Sequence, residues 1–412
     1  WGNFYAFGGA WRVTHEKFME KVRFLNDLKL KLSWGRNGNQ GIDPYGTLSE
    51  AVIGPGGGIA YPFGNSTVPS FGIKQNSLGN SGLGWETTNS WNFGFESAWL
   101  NNRLFVNMDV YLSRTTDQIF NRTIPSMTGF DSMKSTMGEV ANRGVEFSIH
   151  SVNIENKDWR WDTNLTFWLN RNELVHLYGE DLDGDGREDD DLGNNLFIGH
   201  SIHSIYGYKV AGIVQKDDTE YIQANGATPG NPKYVDVDGN GTIGVEDRTI
   251  LGTSDPRFKM SLSNTLSWKN FELYFMLTGT FGGNGYYVSE NAPAFLAGGG
   301  GGGAYSNNMY IPYWTEERPS NKYPAANFSG DGRFKGLQSR AFVRLQDITL
   351  SYTFNSAKIK NFGINNLRVF FTGKNLFTIT GWENGDPELG NTILSSTYPI
   401  STNLSLGANI SF

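Results

Sequence analysis

Apolar and polar residues alternate along much of this chain with a period of two. Residues 104–112 place Leu104, Val106, Met108, Val110 and Leu112 on one side and Phe105, Asn107, Asp109 and Tyr111 on the other. That spacing predicts a β-strand with two unlike faces. Residues 259–268 set Met260, Leu262, Leu266 and Trp268 against Lys259, Ser261, Ser263, Thr265 and Ser267. After Lys269-Asn270 the alternation resumes as Phe271, Leu273, Phe275 and Leu277, which predicts a tight hairpin. At the end of the chain Leu404, Leu406, Ala408, Ile410 and Phe412 oppose Ser405, Gly407, Asn409 and Ser411. Similar alternation runs through about 3–13, 26–36, 86–99, 142–152, 159–170, 341–354 and 366–379. Between Leu345 and Ile348 the apolar phase slips, which predicts a bulge near Gln346-Asp347.

Period-two alternation alone also suits a β-sandwich or a propeller, whose apolar faces pack together. The links between strands separate these readings. Short links fall at 100–103, 153–158, 269–270 and 355–365, with a moderate one at 14–25; long links fall at 37–85, 116–141, 171–258, 283–340 and 380–400. They alternate short and long without exception, as in an outer-membrane barrel with short periplasmic turns and long outer loops. This parity puts Phe412 on the periplasmic side and gives eleven spanning strands. It also places the strand-like run 204–215 inside the outer insertion 171–258, as small non-spanning β-structure. Eleven strands starting at the outer rim do not close a single-chain barrel of even strand number. An open edge in lipid would leave backbone groups unmet, each costing several kcal/mol. The expectation is therefore an all-β fold, an antiparallel transmembrane β-barrel of which residues 1–412 form the C-terminal half.

Composition agrees. The 412 residues include 52 Gly, 14% are aromatic and only 18% are charged, a balance rich in strand and turn formers. The net charge of −7 argues against a nucleic-acid partner. With no Cys, disulfides and thiolate metal sites are excluded. No apolar run of about 18 residues is present, so a helical span is excluded, and no signal peptide is visible.

One stretch, "DVDGNGTIGVED" (236–247), matches a calcium loop. Asp236, Asp238 and Asn240 occupy positions one, three and five, Gly241 the sharp turn, Thr242 position seven and Asp247 position twelve, where Glu is usual. Extracellular calcium would fill even a site of ~10⁻⁴–10⁻³ M affinity. The alternative is an Asx-rich turn using the same side chains locally. A second run, "EDLDGDGREDDD" (180–191), starts in the same phase with Asp181, Asp183 and Asp185. It departs at Arg187 and Leu192, so a solvated acidic loop is expected there. His200 with His203, and Glu173 with His176, have ligand-like spacing but no third ligand and no helical context.

Several runs together resemble the SusC/RagA family of TonB-dependent outer-membrane transporters of Bacteroidetes. They include "LNDLKLKLSWGRNGNQ" (25–40), "LGWETTNSWNFGFESAWLNNRLFVNMDVYLSRTTDQI" (83–119), "MGEVANRGVEFSI" (137–149), "SIYGYKVAGIVQ" (204–215), "YVDVDGNGTIGVEDRTILGTSDPRF" (234–258), "LQDITLSYTF" (345–354) and "LRVFFTGKNLFTIT" (367–380). The resemblance implies a barrel of about 22 strands in the bacterial outer membrane. It implies TonB-dependent import of oligosaccharides or peptides with a SusD-like lipoprotein lid. The plug, the remaining strands and the TonB contact would lie in the N-terminal half.

No nucleophile elbow, catalytic triad or phosphate loop is visible, and "GGGGGG" (298–303) lacks the Lys-Ser/Thr of a P-loop. An enzyme is therefore not expected. Aromatics of the outer loops, Tyr305, Tyr310, Tyr313, Trp314, Tyr323 and Trp382, suit stacking on cargo, contact with a lid or packing on one another. Trp34, Trp91, Trp99 and Trp268 sit on lipid-facing phases, as in an interfacial girdle. Alternatives to import with a lid are a siderophore receptor without one, a structural or adhesive barrel, or an enzymatic barrel.

Overall fold

The alternating segments become eleven long strands: β1 Ala6–Arg12, β2 Leu25–Asn39, β3 Glu86–Trp99, β4 Leu104–Thr123, β5 Ser132–Glu155, β6 Trp159–His176, β7 Phe258–Trp268, β8 Phe271–Phe281, β9 Phe342–Phe354, β10 Asn366–Thr380 and β11 Asn403–Ser411. They form one sheet in strict chain order. This computed structural model describes residues 2–42, 44–53, 60–61, 70–286, 312–328, 333–334, 336–354, 363–383, 386–389 and 400–412. No helix among them is long and apolar enough to cross a membrane, a statement that does not bear on strands.

Strand number and order agree with the parity reading. At the shortest link Trp268 pairs with Phe271, and Lys269 takes a left-handed φ of 52° to close the turn. Gln346 is the extra residue of the expected bulge: Leu277 pairs with Leu345 and Met276 with Asp347. The bulge returns Ile348, Leu350 and Tyr352 to the face that Leu345 occupies. One link differs from expectation. The connection read as 116–141 is mostly strand, because β4 runs to Thr123 and β5 begins at Ser132. Polar residues there keep the ladder going past the apolar stretch, so hydropathy alone hid it.

The leucine rows do not meet in a dry interior. Leu404 is 64% and Leu406 78% exposed, and Leu32, Leu112 and Leu350 are each at least half exposed. A sandwich would bury these rows, and a barrel wall turns them outward.

The chain divides into two compact units. Trp1–Trp99, Asn107–Glu146 and Asn170–Ile202 form the first; Leu100–Val106, Phe147–Leu169 and His203–Phe412 form the second. In the first, the polar face of β2–β4 carries an ion-pair ladder. Lys31 Nζ lies 3.1 Å from Glu96 and 3.3 Å from Asp109, and Lys29 reaches Glu96 at 3.4 Å. Gly94 makes room for it: a Cβ there would lie 2.1 Å from the Asp109 carboxylate. On the opposite face Trp34 contacts Phe7 and Trp91, with ring centroids 6.1 Å apart in each pair. Phe24 stacks on Trp99.

In the second unit aromatics form two rows on the leucine face. One runs Phe147, Phe167, Phe258 and Phe281, with centroid separations of 4.9, 5.5 and 4.6 Å. The other runs Trp159, Trp268, Phe271, Tyr352 and Phe354. The 11-residue β8 joins them, with Phe271 at one end and Phe281 at the other. Ten residue steps of about 3.4 Å at a tilt of roughly 40° give a band of about 26 Å, close to the ~25 Å apolar belt of outer-membrane barrels.

Candidate functional site

The insertion folds apart from the main sheet. The run 204–215 becomes two short strands: Ser204–Tyr208 pairs with Arg248–Thr253, and Val210–Ile213 with Pro232–Tyr234. One short helix, α1 Thr219–Asn225, precedes the Asp236 loop.

Within that loop each acidic side chain first folds its own backbone. Asp236 accepts from Gly239 N at 2.6 Å and from Gly241 N at 2.7 Å. Asp238 accepts from Asn240 N at 3.0 Å. Asn240 Oδ1 accepts from both the amide and the hydroxyl of Thr242, at 2.8 and 2.7 Å. Gly239 and Gly241 hold φ of 78° and 85°, positions where a side chain would be strained.

A 3₁₀ turn, Val245–Asp247, carries Asp247 back under the loop. There its Oδ1 accepts from Val237 N at 2.6 Å and its Oδ2 from Gly244 N at 2.7 Å. Asp247 is 0% exposed. The amides of Gly244 and Val237 stabilise its charged form and hold its carboxyl below the usual range, against the opposing effect of burial. Backbone amides thus fix the shorter side chain of the twelfth position in place. Oxygens of Asp236, Asp238 and Asp247 lie within 4.8 Å of one another, and Asn225 of α1 pins the far side by accepting from Ile243 N at 2.7 Å. Sequence reasoning missed Asn225, because a seven-residue helix is too short to show a period.

The 180–191 run splits in two. Its first part folds like the Asp236 loop: Asp181 accepts from Gly184 N at 2.7 Å and Gly186 N at 3.0 Å, and Asp183 from Asp185 N at 3.0 Å. Asp189 accepts from Leu182 N at 2.6 Å, the part that Asp247 plays for Val237. The loop therefore closes over nine positions rather than twelve, and the mismatch at Leu192 is beside the point. Oxygens of Asp181, Asp183 and Asp185 also lie within 4.8 Å of one another, but all three residues are exposed. The second part is scaffold. Glu188 accepts from Leu177 N and Gly179 N, both at 2.6 Å, and Asp191 from the Tyr178 hydroxyl at 3.0 Å. They clasp an apolar cluster of Val140, Leu174, Leu177 and Leu196.

The histidine pairs go to separate partners. His203 lies 2.8 Å from Asp255, His176 3.2 Å from Glu188, and Glu173 3.5 Å from Arg143. Among the described residues no group of three metal-ligating side chains includes them.

Of the loop aromatics, Trp314 is buried against Ile213 and Ala325, and its Nε1 donates to Gln215 Oε1 at 2.9 Å. Gly230 keeps that space open, since a Cβ there would come within 2.7 Å of the indole. Trp382 is buried too. Both fit the packing reading. Tyr323 pairs with Glu383. Tyr313 is half-buried, and burial pushes its phenol pKa up. Tyr305, Tyr310 and the run 298–303 lie outside the described residues.

Residues 1–376 match the family described as TonB dependent receptor-like, beta-barrel. A TonB-dependent receptor of Formosa agariphila is 31% identical over 436 residues, covering 99% of this chain and 42% of that protein. The TonB-dependent receptor SusC of Bacteroides thetaiotaomicron is 30% identical over 428 residues, covering 100% of this chain and 40% of that protein. The solved structure of the RagAB peptide transporter superposes with a TM-score of 0.75 at 26% identity, over 99% of this chain and 43% of that one. The chain thus spans about two fifths of the length of these relatives.

Proposed function

This chain belongs to the TonB-dependent receptor-like β-barrel family, and from that premise we propose that it forms the wall and outer loops of an importer. It is a bacterial outer-membrane protein whose eleven antiparallel strands are the C-terminal part of a larger barrel. The cargo we assign is an oligosaccharide or peptide fragment. It enters beneath a SusD-like lipoprotein lid and is released inward by TonB-driven movement of a plug, with plug and remaining strands supplied from beyond these 412 residues. The observation that carries this reading is the continuous sheet with exposed leucine rows and aromatic bands on one face and ion pairs on the other. The likeness to the RagAB peptide transporter supports a peptide among these cargoes. The relatives are receptors, and this chain's residues are assigned no bond-making step.

The test uses the intact receptor, tagged and extracted from outer membranes. A surface lipoprotein should co-purify in near-equal amount, and energised cells should lose uptake of one labelled glycan or peptide when the gene is deleted. Co-purification of no lipoprotein, with growth impaired only under iron limitation, would favour a siderophore receptor instead.

The proposal extends to calcium in the Asp236 loop. Asp236, Asp238 and Asp247 would supply carboxylate oxygens, with Asn240 and Thr242 at the intervening positions. Hard oxygen donors of this kind suit Ca²⁺, which would neutralise three closely spaced charges and brace a loop remote from the main sheet. Titrating calcium into the intact receptor should raise protection of the loop from proteolysis. An Asp236→Asn/Asp238→Asn variant should lose that effect with the barrel still folded.

A further inference from the structure

We propose that Arg114, Arg143 and Arg171 bind the phosphate of a lipid headgroup in the outer leaflet. They line a concave site of ≈ 550 Å³ on β3–β6, with Trp91 and Leu112 beside them. Strand alternation gives the facing. Arg114 follows Leu112 on the row of Leu104, Val106, Met108 and Val110, so it points to the lipid side rather than the lumen. Arg143 has the phase of Phe147 on β5, and Arg171 that of Phe167 on β6. Charged residues on that face are costly at mid-bilayer and cost little near the interface, so three together belong at headgroup depth. Trp91, in contact with Trp34, marks that depth within the same unit.

The cluster is cationic. Arg114 lies 2.9 Å from Glu139 and Arg143 3.5 Å from Glu173, and Arg171 donates to Asn170 O at 2.8 Å. Among the described residues, three guanidiniums stand here beside two carboxylates. Each guanidinium has five N–H donors, and the Arg114 and Arg143 side chains are about two-thirds exposed, at 66% and 67%. Forked donors around a concavity suit a phosphate monoester. A cargo carboxylate is disfavoured, because this face turns away from the lumen. The inference rests on outer-membrane residence and is independent of which cargo is imported.

The test strips lipid from the intact receptor in detergent and titrates monophosphoryl lipid A against its dephosphorylated counterpart, counting bound lipid by native mass spectrometry. The phosphorylated probe should bind about tenfold more tightly. The R114Q/R143Q/R171Q variant should lose the preference while keeping the heat-dependent gel mobility of a folded barrel and its uptake. Equal binding of both probes to the unmodified receptor overturns the proposal even where the variant does not fold. If millimolar inorganic phosphate displaces the probe completely, the occupant is a free anion and the headgroup assignment falls.

Discussion

Two positions on the strands show how much a single residue decides. Gly94 stands where any Cβ would lie 2.1 Å from the Asp109 carboxylate and 2.9 Å from Met108 O. Gly94→Ala should cost about 1–3 kcal/mol, as overpacking usually does. A lower temperature for the heat-induced gel shift of the intact receptor would register it. Arg344 and Asp386 form an ion pair at 2.8 Å with both side chains 5% exposed. Asp386→Asn leaves that guanidinium buried with Glu388 as its remaining carboxylate partner, so the loss should approach the lower end of ~3–5 kcal/mol. An Arg344→Met/Asp386→Leu pair should recover much of it by the same measurement. Neither position announces itself in sequence. Gly94 is one of 52 glycines, and Asp386 is 42 residues from Arg344, so only the folded chain brings each to its partner.

The bulge of β9 lets one strand keep two faces in register. Deleting Gln346 would remove the unpaired residue and leave Leu345 opposite Leu277 and Asp347 opposite Met276, so Leu345 and Arg344 would keep their faces against β8. The deletion should therefore still assemble into membranes, seen as a retained protease-resistant barrel that lacks only the Thr278–Gln346 hydrogen bond. This bulge was legible because the break in apolar phase is local. The closure of the acidic loops was legible only in part. The Asp236 loop follows a twelve-residue template, whereas Asp189 does the work of Asp247 from the ninth place, where that template does not look. Acid should act on the Asp236 loop through Asp247. Its folded pKa lies below the unfolded one. The stabilisation is therefore complete above the ordinary carboxylate value near ~3.9 and is lost as pH falls through the depressed value. Protection of the Val237 and Gly244 amides from hydrogen exchange, taken relative to the free-peptide rate at each pH, should be high at pH 5 and fall in stronger acid. High protection throughout would remove Asp247 as their anchor.

At the scale of the molecule, strand count, order and facing were all readable, because each strand needs only its own alternation and the parity of its links. The non-spanning insertion was readable as well, since a spanning strand at 204–215 would have broken that parity. The fate of its aromatics was not. Trp314 is buried through Gln215 and Gly230, partners about a hundred residues earlier, and no local pattern encodes such a meeting. The two aromatic rows carry their own expectation. Trp268→Ala/Phe271→Ala should weaken the row from Trp159 to Phe354 without touching any lumenal charge, so the receptor should melt earlier yet take up cargo at the same rate per folded molecule.

The meeting of Gln215 and Trp314 ties together two segments 99 residues apart in the chain. Asn321 adds to the tie by accepting from Ile213 N at 3.0 Å, and Ser320 O by accepting from the Gln215 amide at 3.1 Å. A change of length in either segment has to preserve these bonds, so the two are constrained as a pair.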